Sequence, residues 1–557
     1  MNPLAQLKKD RAVERIWAAD AALWKSEAAH KKIISNSLGW LRMPAQMPER
    51  LQELTAFSQE IRAAGFKKVL LLGMGGSSLA PEVMRRVLPA KAGFPMLSVL
   101  DSTDPEAVLA MDHACDPKTT LYVVASKSGT TTEPLRLFDY FWGRAQSELG
   151  QNAGKHFIAI TDPGSFLAGQ AQERGFRKVF LNFADIGGRF SALSYFGLVP
   201  AALMGADTEE FLHRAADMAK ACAKPDAPEN PGLELGAKLA ELSRSGQDKL
   251  TLLMSPEIES LGLWLEQLVA ESTGKEGLGV TPVAMEPASP TSLYGKDRVF
   301  VLITLDGSRD PQPARLAETF EKAGHPVLRL RLHDALDLGA EFFRWEFATA
   351  VLGKALGIDP FDQPDVQSAK DKTKTVLDHR VKTGKLPEVA SQIQDDGLEL
   401  CFSRASKEAG NVSGFDASLS SFLNMARPGD YLGLLPFLSP LGEYDALVLS
   451  IAKTLRGRSE HALQTGYGPR YLHSTGQLHK GGADKGLFLL IMREGGPEAA
   501  IPGQPYGFAD LVNAQAIGDF QALDGAGRRA VLIRMTGDAR KGLARVARAL
   551  ERSSARA

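Results

Sequence analysis

Residues 126–133 read Ser126-Lys127-Ser128-Gly129-Thr130-Thr131-Thr132-Glu133, five hydroxyl side chains within seven residues beside a lysine. They follow the apolar run Leu121–Ala125 and precede a helical pattern that opens with Pro134. The hydroxyls therefore meet the free amides of a helix start, where an anion is favoured. A phosphate needs several donors at once, and this loop supplies them. Capping a helix takes only one hydroxyl, so capping alone leaves the rest unexplained. The Walker spacing is absent, which points to a phosphate pocket without nucleotide-triphosphatase machinery. A second turn, Gly73-Met74-Gly75-Gly76-Ser77-Ser78, joins the strand Val69–Leu72 to a helix with Pro81 in its first turn. Its glycines allow a ligand to approach the backbone, but the spacing lacks the third glycine of a dinucleotide fingerprint.

Acid–base candidates lie further along. Gln267 and Glu271 are four apart, on one face of a helix that Ser255-Pro256 starts and that runs to Gly274. Glu271 falls in the last turn, where the helix dipole disfavours a carboxylate, so a purely structural glutamate is poorly placed there. Arg189, between Gly188 and Phe190, is either an ion-pair partner or a buried cation for an anionic intermediate. Two further stretches carry polar groups in close order: Phe361-Asp362-Gln363-Pro364 through Lys370, and the loop Gly466–Gly482 with His473 and His479. Imidazole can give and take a proton near neutral pH.

Ser126–Glu133 resembles the sugar-phosphate cradle of sugar isomerase (SIS) domains. Together with Asp185-Ile186-Gly187-Gly188-Arg189-Phe190-Ser191, Gln267–Lys275 and Phe361–Lys370, it is similar to the glucose-6-phosphate isomerase family, in that family's order over residues 70–370. In style the chain is most similar to the isomerase half of fused transaldolase–isomerase proteins, without a transaldolase portion. The resemblance implies an aldose–ketose isomerase interconverting D-glucose 6-phosphate and D-fructose 6-phosphate through a cis-enediolate. It implies catalytic roles for Glu271, Arg189 and Lys370, and substrate contacts from Gly76, Ser77, Ser126, Lys127, Ser128, Thr131, Glu133, Gly188, Gln267 and Gln363. It also implies a homodimer and neither a metal nor a cofactor. The chain departs from the pattern in its ring-opening histidine, which the family places between the glutamate and the lysine. That interval holds only His325 and His333 here. His473 is the preferred replacement, with His479 second. The family draws this histidine from the partner subunit, so His473 is expected from the C-terminal part, within the chain or across a dimer interface. Two alternatives stand beside this reading: a mannose 6-phosphate or amino-sugar phosphate isomerase, and a SIS-type sugar-phosphate sensor. A sensor of that kind calls for a helix-turn-helix and a basic face.

Positioning these residues calls for an α/β protein of two doubly wound parallel-sheet (SIS-type) lobes, with an N-terminal helical segment and a mixed α/β C-terminal extension. Helical spacing of Ile16, Trp17, Leu23 and Trp24 marks residues 1–60. The strands Val69–Leu72, Met96–Leu100, Leu121–Ala125, Phe157–Thr161 and Lys178–Leu181 alternate with helices in a first lobe, 61–223. A Pro-rich connection, 224–232, leads to a second lobe, 233–370, with strands Leu250–Met254, Val299–Thr304 and Val327–Leu332. Residues 371–557 mix strand-like and helical runs. The 557 residues carry 65 Lys and Arg against 66 Asp and Glu, a balance that argues against a nucleic-acid partner. Cys115, Cys222 and Cys401 are few and scattered, as in a reducing compartment. With no membrane-length apolar run or signal-peptide pattern, a cytoplasmic protein is expected.

Overall fold

Short apolar runs that are buried on both faces, each followed by a helix, are satisfied only by a parallel sheet with helices on either side. In the computed structural model, which describes residues 2–554, the first half folds this way. The strand order is Met96–Leu100, Lys68–Leu72, Thr120–Ala125, Phe157–Thr161, Lys178–Leu181, all parallel. All five strands coincide with the apolar runs read from sequence. Chain direction across the sheet reverses between Lys68–Leu72 and Thr120–Ala125. The turn 73–78 and the loop 126–131 leave the carboxyl ends of these two strands. A crevice opens at such a switch point, which is where ligands bind in open α/β sheets.

The second sheet has the order Thr281–Val283, Lys249–Met254, Arg298–Leu305, Val327–Leu332, again parallel. Its edge strand Thr281–Val283 is not signalled by the sequence: three residues with Pro282 in the middle are tolerated only at an edge. The catalytic-candidate helix is Leu261–Thr273, preceded by a separate turn, Pro256–Ile258, rather than one helix from Ser255. The N-terminal helices pack onto this lobe. Trp17 stacks on Phe343, and Trp24 Nε1 donates to the Ala350 carbonyl at 2.9 Å.

Residues 393–535 form a third sheet, more than the mixed extension expected. Its order is Ile393–Asp395, Leu398–Phe402, Arg529–Met535, Gly486–Arg493, Tyr431–Phe437, Ala462–Thr465, and the last four strands are parallel. The helix Val366–Thr383 runs through residue 370, so a division there falls inside a helix. The third unit is welded to the first: Leu70, Tyr122 and Phe157 share one apolar cluster with Leu435, Phe488 and Ile517. Its own switch-point crevice, at the end of Gly486–Arg493, is closed by the first lobe. There the Arg493 guanidinium reaches Asp104 at 3.1 Å and Glu106 at 2.5 Å. No helix among the described residues is long and apolar enough to cross a membrane, and the three cysteines are free and buried.

A buried triad joins the second and third units. Glu286 lies between Arg298 (2.9 Å) and Arg456 (3.1 Å) and also accepts the Leu463 amide at 2.8 Å. Removing its charge strands two guanidinium groups that are shut off from water. Glu286→Gln is therefore expected to cost about 3–5 kcal/mol, read as a lower urea midpoint.

Candidate active site

The two loops at the switch point form one wall. Thr131 is the N-cap residue of the helix Thr132–Leu149, yet its hydroxyl makes no capping bond. The hydroxyls bond to one another instead: Ser126 Oγ to Thr131 Oγ1 at 3.2 Å, and Thr130 Oγ1 to Ser128 Oγ at 3.1 Å. The helix start is thus left without a hydroxyl cap. Lys127 sits otherwise than expected, since its ammonium is engaged by Asp162 and by the Ala184 carbonyl at 2.8 Å. It pins the loop, and its charge is already paired. Gly76 is pressed against Gly188: a Cβ on Gly76 would lie 2.1 Å from the Gly188 carbonyl oxygen. These two glycines bring the turn carrying Ser77 against the turn carrying Arg189.

Arg189 is 2% exposed, and its guanidinium is almost fully spent. It donates to Ser272 Oγ (2.7 Å), Gln363 Oε1 (2.8 Å), the Pro360 carbonyl (2.6 Å) and the Asp362 carbonyl (3.0 Å). Its Nη1 also lies 3.4 Å from Glu271 Oε1. The other oxygen of Glu271 accepts from Gln267 Nε2 at 3.1 Å, and the same nitrogen donates to the His473 carbonyl at 2.7 Å. Gln267, expected to touch substrate, is a bridge between base and histidine loop. Its own Oε1 is buried without a partner.

His473 reaches this site within the same chain. Its Nε2 is 2.9 Å from Glu133 Oε1. Burial would raise the Glu133 carboxyl, but the charge and hydrogen bond of His473 outweigh it and hold it below the usual range. An ionised carboxylate can only accept, so Nε2 carries the proton and Nδ1 is left for a ligand. Glu133 is buried and engaged with His473. Lys370 is exposed in the second turn of Val366–Thr383, within electrostatic reach of Glu133. His479 lies elsewhere: it is buried, with Nε2 3.0 Å from Gln464 Oε1 and its ring 4.8 Å from that of Phe488. Burial drives it well below the usual imidazole range.

Sequence reading missed two members of the site. Gln515 Nε2 donates to Glu133 Oε1 at 2.8 Å, and Thr103 Oγ1 donates to Gln515 Oε1 at 2.7 Å. The available signal was the helix Phe508–Gly525, apolar on all sides yet carrying buried Asn513, Gln515 and Asp519. Buried polar groups of that kind need partners. The three closely grouped metal-type side chains among the described residues are His30, Asp359 and Asp362, and the Lys275 ammonium already bonds Asp362 there at 2.6 Å.

Behind the histidine loop lies a cavity of about 320 Å³, lined by Leu263, Met285, Leu449, Tyr467 and Arg470, with Glu266 in its wall. Glu266 has no cation beside it and accepts only the Ala284 amide, at 3.1 Å. Burial pushes its carboxyl up to about 8. A carboxyl raised in the folded state favours folding at low pH and loses that contribution as pH climbs from its ordinary value to the raised one. Glu266→Gln is expected to flatten the stability decline of the unaltered protein between pH 5 and about 8. Urea midpoints measured across that range for both proteins make the check.

Residues 32–295, a little under half of the chain, match the family model described as phosphoglucose isomerase. The chain is 27% identical to the glucose-6-phosphate isomerase of Carboxydothermus hydrogenoformans over 426 residues, spanning 65% of this chain and 91% of that relative. A hypothetical protein from Thermus thermophilus has a solved structure with a TM-score of 0.58 and 26% identity, covering 67% of this chain and 96% of that one. The glucose-6-phosphate isomerase of Chlamydia trachomatis shares the fold at a TM-score of 0.52 and 20% identity, over 69% of this chain and 86% of that one. The chain is a distant relative of the phosphoglucose isomerase family, built on parallel α/β sheets.

Proposed function

We propose that the chain is a sugar-phosphate isomerase of the phosphoglucose isomerase type, interconverting D-glucose 6-phosphate and D-fructose 6-phosphate. The observation that carries this reading is the grouping of Glu271, Arg189 and His473 on one crevice edge beside the uncapped Ser126–Thr131 loop. The phosphate docks on the hydroxyls and helix amides of that loop. Held by Glu133 through Nε2–H, His473 uses Nδ1 to take the proton of the carbon-1 hydroxyl and hand it to the ring oxygen as the bond between carbon 1 and the ring oxygen breaks, so the imidazole ends as it began. Lys370 adds positive charge at that end. Glu271 then removes the proton from carbon 2 and returns it to carbon 1, while the hydroxyl proton of oxygen 2 passes to oxygen 1. Arg189, already 3.4 Å from that carboxylate, offsets the negative charge of the enediolate.

A mannose 6-phosphate or amino-sugar isomerase would use the same groups and differ in contacts to carbon 2. A SIS-type sensor has no use for a carboxylate held between an amide and a guanidinium. The kinship to fused transaldolase–isomerase proteins rests on sequence style alone, the comparisons supporting the isomerase family. Cytoplasmic placement fits the buried free cysteines. A homodimer is not needed to complete the site, because His473 comes from the same chain.

Purified protein is expected to turn over fructose 6-phosphate, and binding without turnover would favour the sensor. Glu271→Gln should lower turnover and deuterium exchange at carbon 2 by about 10²–10⁴-fold. His473→Ala should slow cyclic substrate far more than open-chain substrate. Mixing the two inactive variants under subunit exchange should restore nothing, since both groups act within one chain. Recovered activity would place them on different subunits.

A further inference from the structure

The helix Phe508–Gly525 lies outside the stretch that matches the family model, yet one of its side chains enters the site. Gln515 is 3% exposed, Thr103 is fully buried, and both amide ends of Gln515 are used. The Glu133 carboxylate only accepts, so the carboxamide turns its NH₂ end toward it and its oxygen toward Thr103 Oγ1, which donates at 2.7 Å. The NH₂ end donates at 2.8 Å to Oε1, the oxygen that also receives His473 Nε2–H. A hydroxyl, an amide, a carboxylate and an imidazole thus form one chain of hydrogen bonds running from the first lobe through the third unit to the catalytic loop. Two donors converge on one carboxylate oxygen, and that convergence fixes where the imidazole can point.

We infer that Gln515, oriented by Thr103, is a positioning residue for the His473–Glu133 pair, so that the C-terminal unit sets the direction of the ring-opening imidazole. This deepens the isomerase reading and rests on it. The inference does not require Gln515 to touch substrate. With Gln515 lost, Oε1 of Glu133 keeps one of its two side-chain donors, and the carboxylate can shift in its buried pocket. The imidazole would then sample other directions, and Nδ1 would meet the ring oxygen less often.

The test uses the full chain labelled with ¹⁵N-histidine. In the unaltered protein the Nε2–H signal of His473 should be sharp and slow to exchange with water. Gln515→Met matches the side chain in length and removes both polar ends. Its Nε2 proton should exchange about tenfold faster, and kcat on cyclic substrate should fall about tenfold with KM nearly unchanged. Open-chain turnover and carbon-2 exchange should stay within about twofold, because Glu271 is untouched. Thr103→Val, a milder change that only frees the carboxamide, should move the same readouts part of the way, and Thr103→Ser should restore them. An unchanged Nε2–H signal and an unchanged cyclic-to-open-chain ratio in folded Gln515→Met would overturn the inference. If Gln515→Met does not fold, Thr103→Val decides by the same two readouts. Should the unaltered protein lack isomerase activity, the functional reading fails while the histidine signal still decides the positioning role.

Discussion

A guanidinium taken out of water costs several kcal/mol unless every N–H finds an acceptor, and Arg189 is such a group. Its acceptors come from the end of the Leu261–Thr273 helix (Ser272, with Glu271 close by) and from the loop 360–363. The arginine itself stands on the turn Gly188–Phe190 of the first lobe. Satisfying one buried cation therefore fixes three chain segments relative to one another. The same demand keeps Glu271 close. Lys275, pushed down to about 8 by burial, repeats the arrangement one step out. It donates to the Asp359 and Asp362 carbonyls at 2.8 and 2.6 Å, so two cations share the Asp362 oxygen. The loop bearing Gln363 is held by these charged contacts together with Phe361, whose ring packs against Trp24 and Phe190.

The third sheet answers a different need. On the proposed reading a second acid–base group stands opposite Glu271, beside the Gly73–Ser78 and Ser126–Thr131 loops. Residues 466–480 supply it, and they are tied down at both ends. Arg470 makes a two-pronged contact with Asp101 at 2.8 and 2.6 Å, beside the Ser78 turn. Lys480 pairs with Asp519 at 2.6 Å on the helix Phe508–Gly525, and Tyr471 donates to the same carboxylate at 2.5 Å. The crevice that this unit would itself offer a ligand is spent on docking through Arg493. It works as a support for one loop of its own chain.

How legible all this was depended on the range of the interaction. Strands such as Leu121–Ala125 were readable because burial on both faces demands an unbroken apolar run, a local property. The grouping of Ser126–Thr131, Arg189 and Glu271 around one crevice was legible as far as residue type and close spacing reach, since each stretch is short and polar. Lys127 was misread because its partner Asp162 lies on another strand's loop, and nothing near Lys127 announces it. Gln515 and Thr103 are separated by more than four hundred positions, and only the fold brings them together. His473 and His479 look alike in a glycine-rich loop, yet the turn Arg470–His473 places one beside Glu133 while the following helix buries the other among Tyr431, Tyr471 and Phe488.

Precision at such a site needs more than a hydrogen bond, because a catalytic group displaced by ~1 Å loses much of its effect. The histidine loop gains that precision from backbone touching backbone. Gly75 adopts a positive φ of 56°, and a Cβ there would come within 2.9 Å of both the Cβ and the carbonyl oxygen of His473. At the other end of the loop, a Cβ on Gly274 would lie 2.3 Å from Leu478 Cα. These contacts leave the main chain no room to approach further, while Gln267 and Gln477 pull it inward through the His473 and Gly274 carbonyls at 2.7 and 2.9 Å. Steric stops on one side and hydrogen bonds on the other define a single position for the loop. Glu271 stands on the helix that carries Gln267 and precedes Gly274, and the His473 imidazole stands on the loop pressed against it. Their separation is therefore set by close packing within one chain, and the flexibility of either side chain has little say in it.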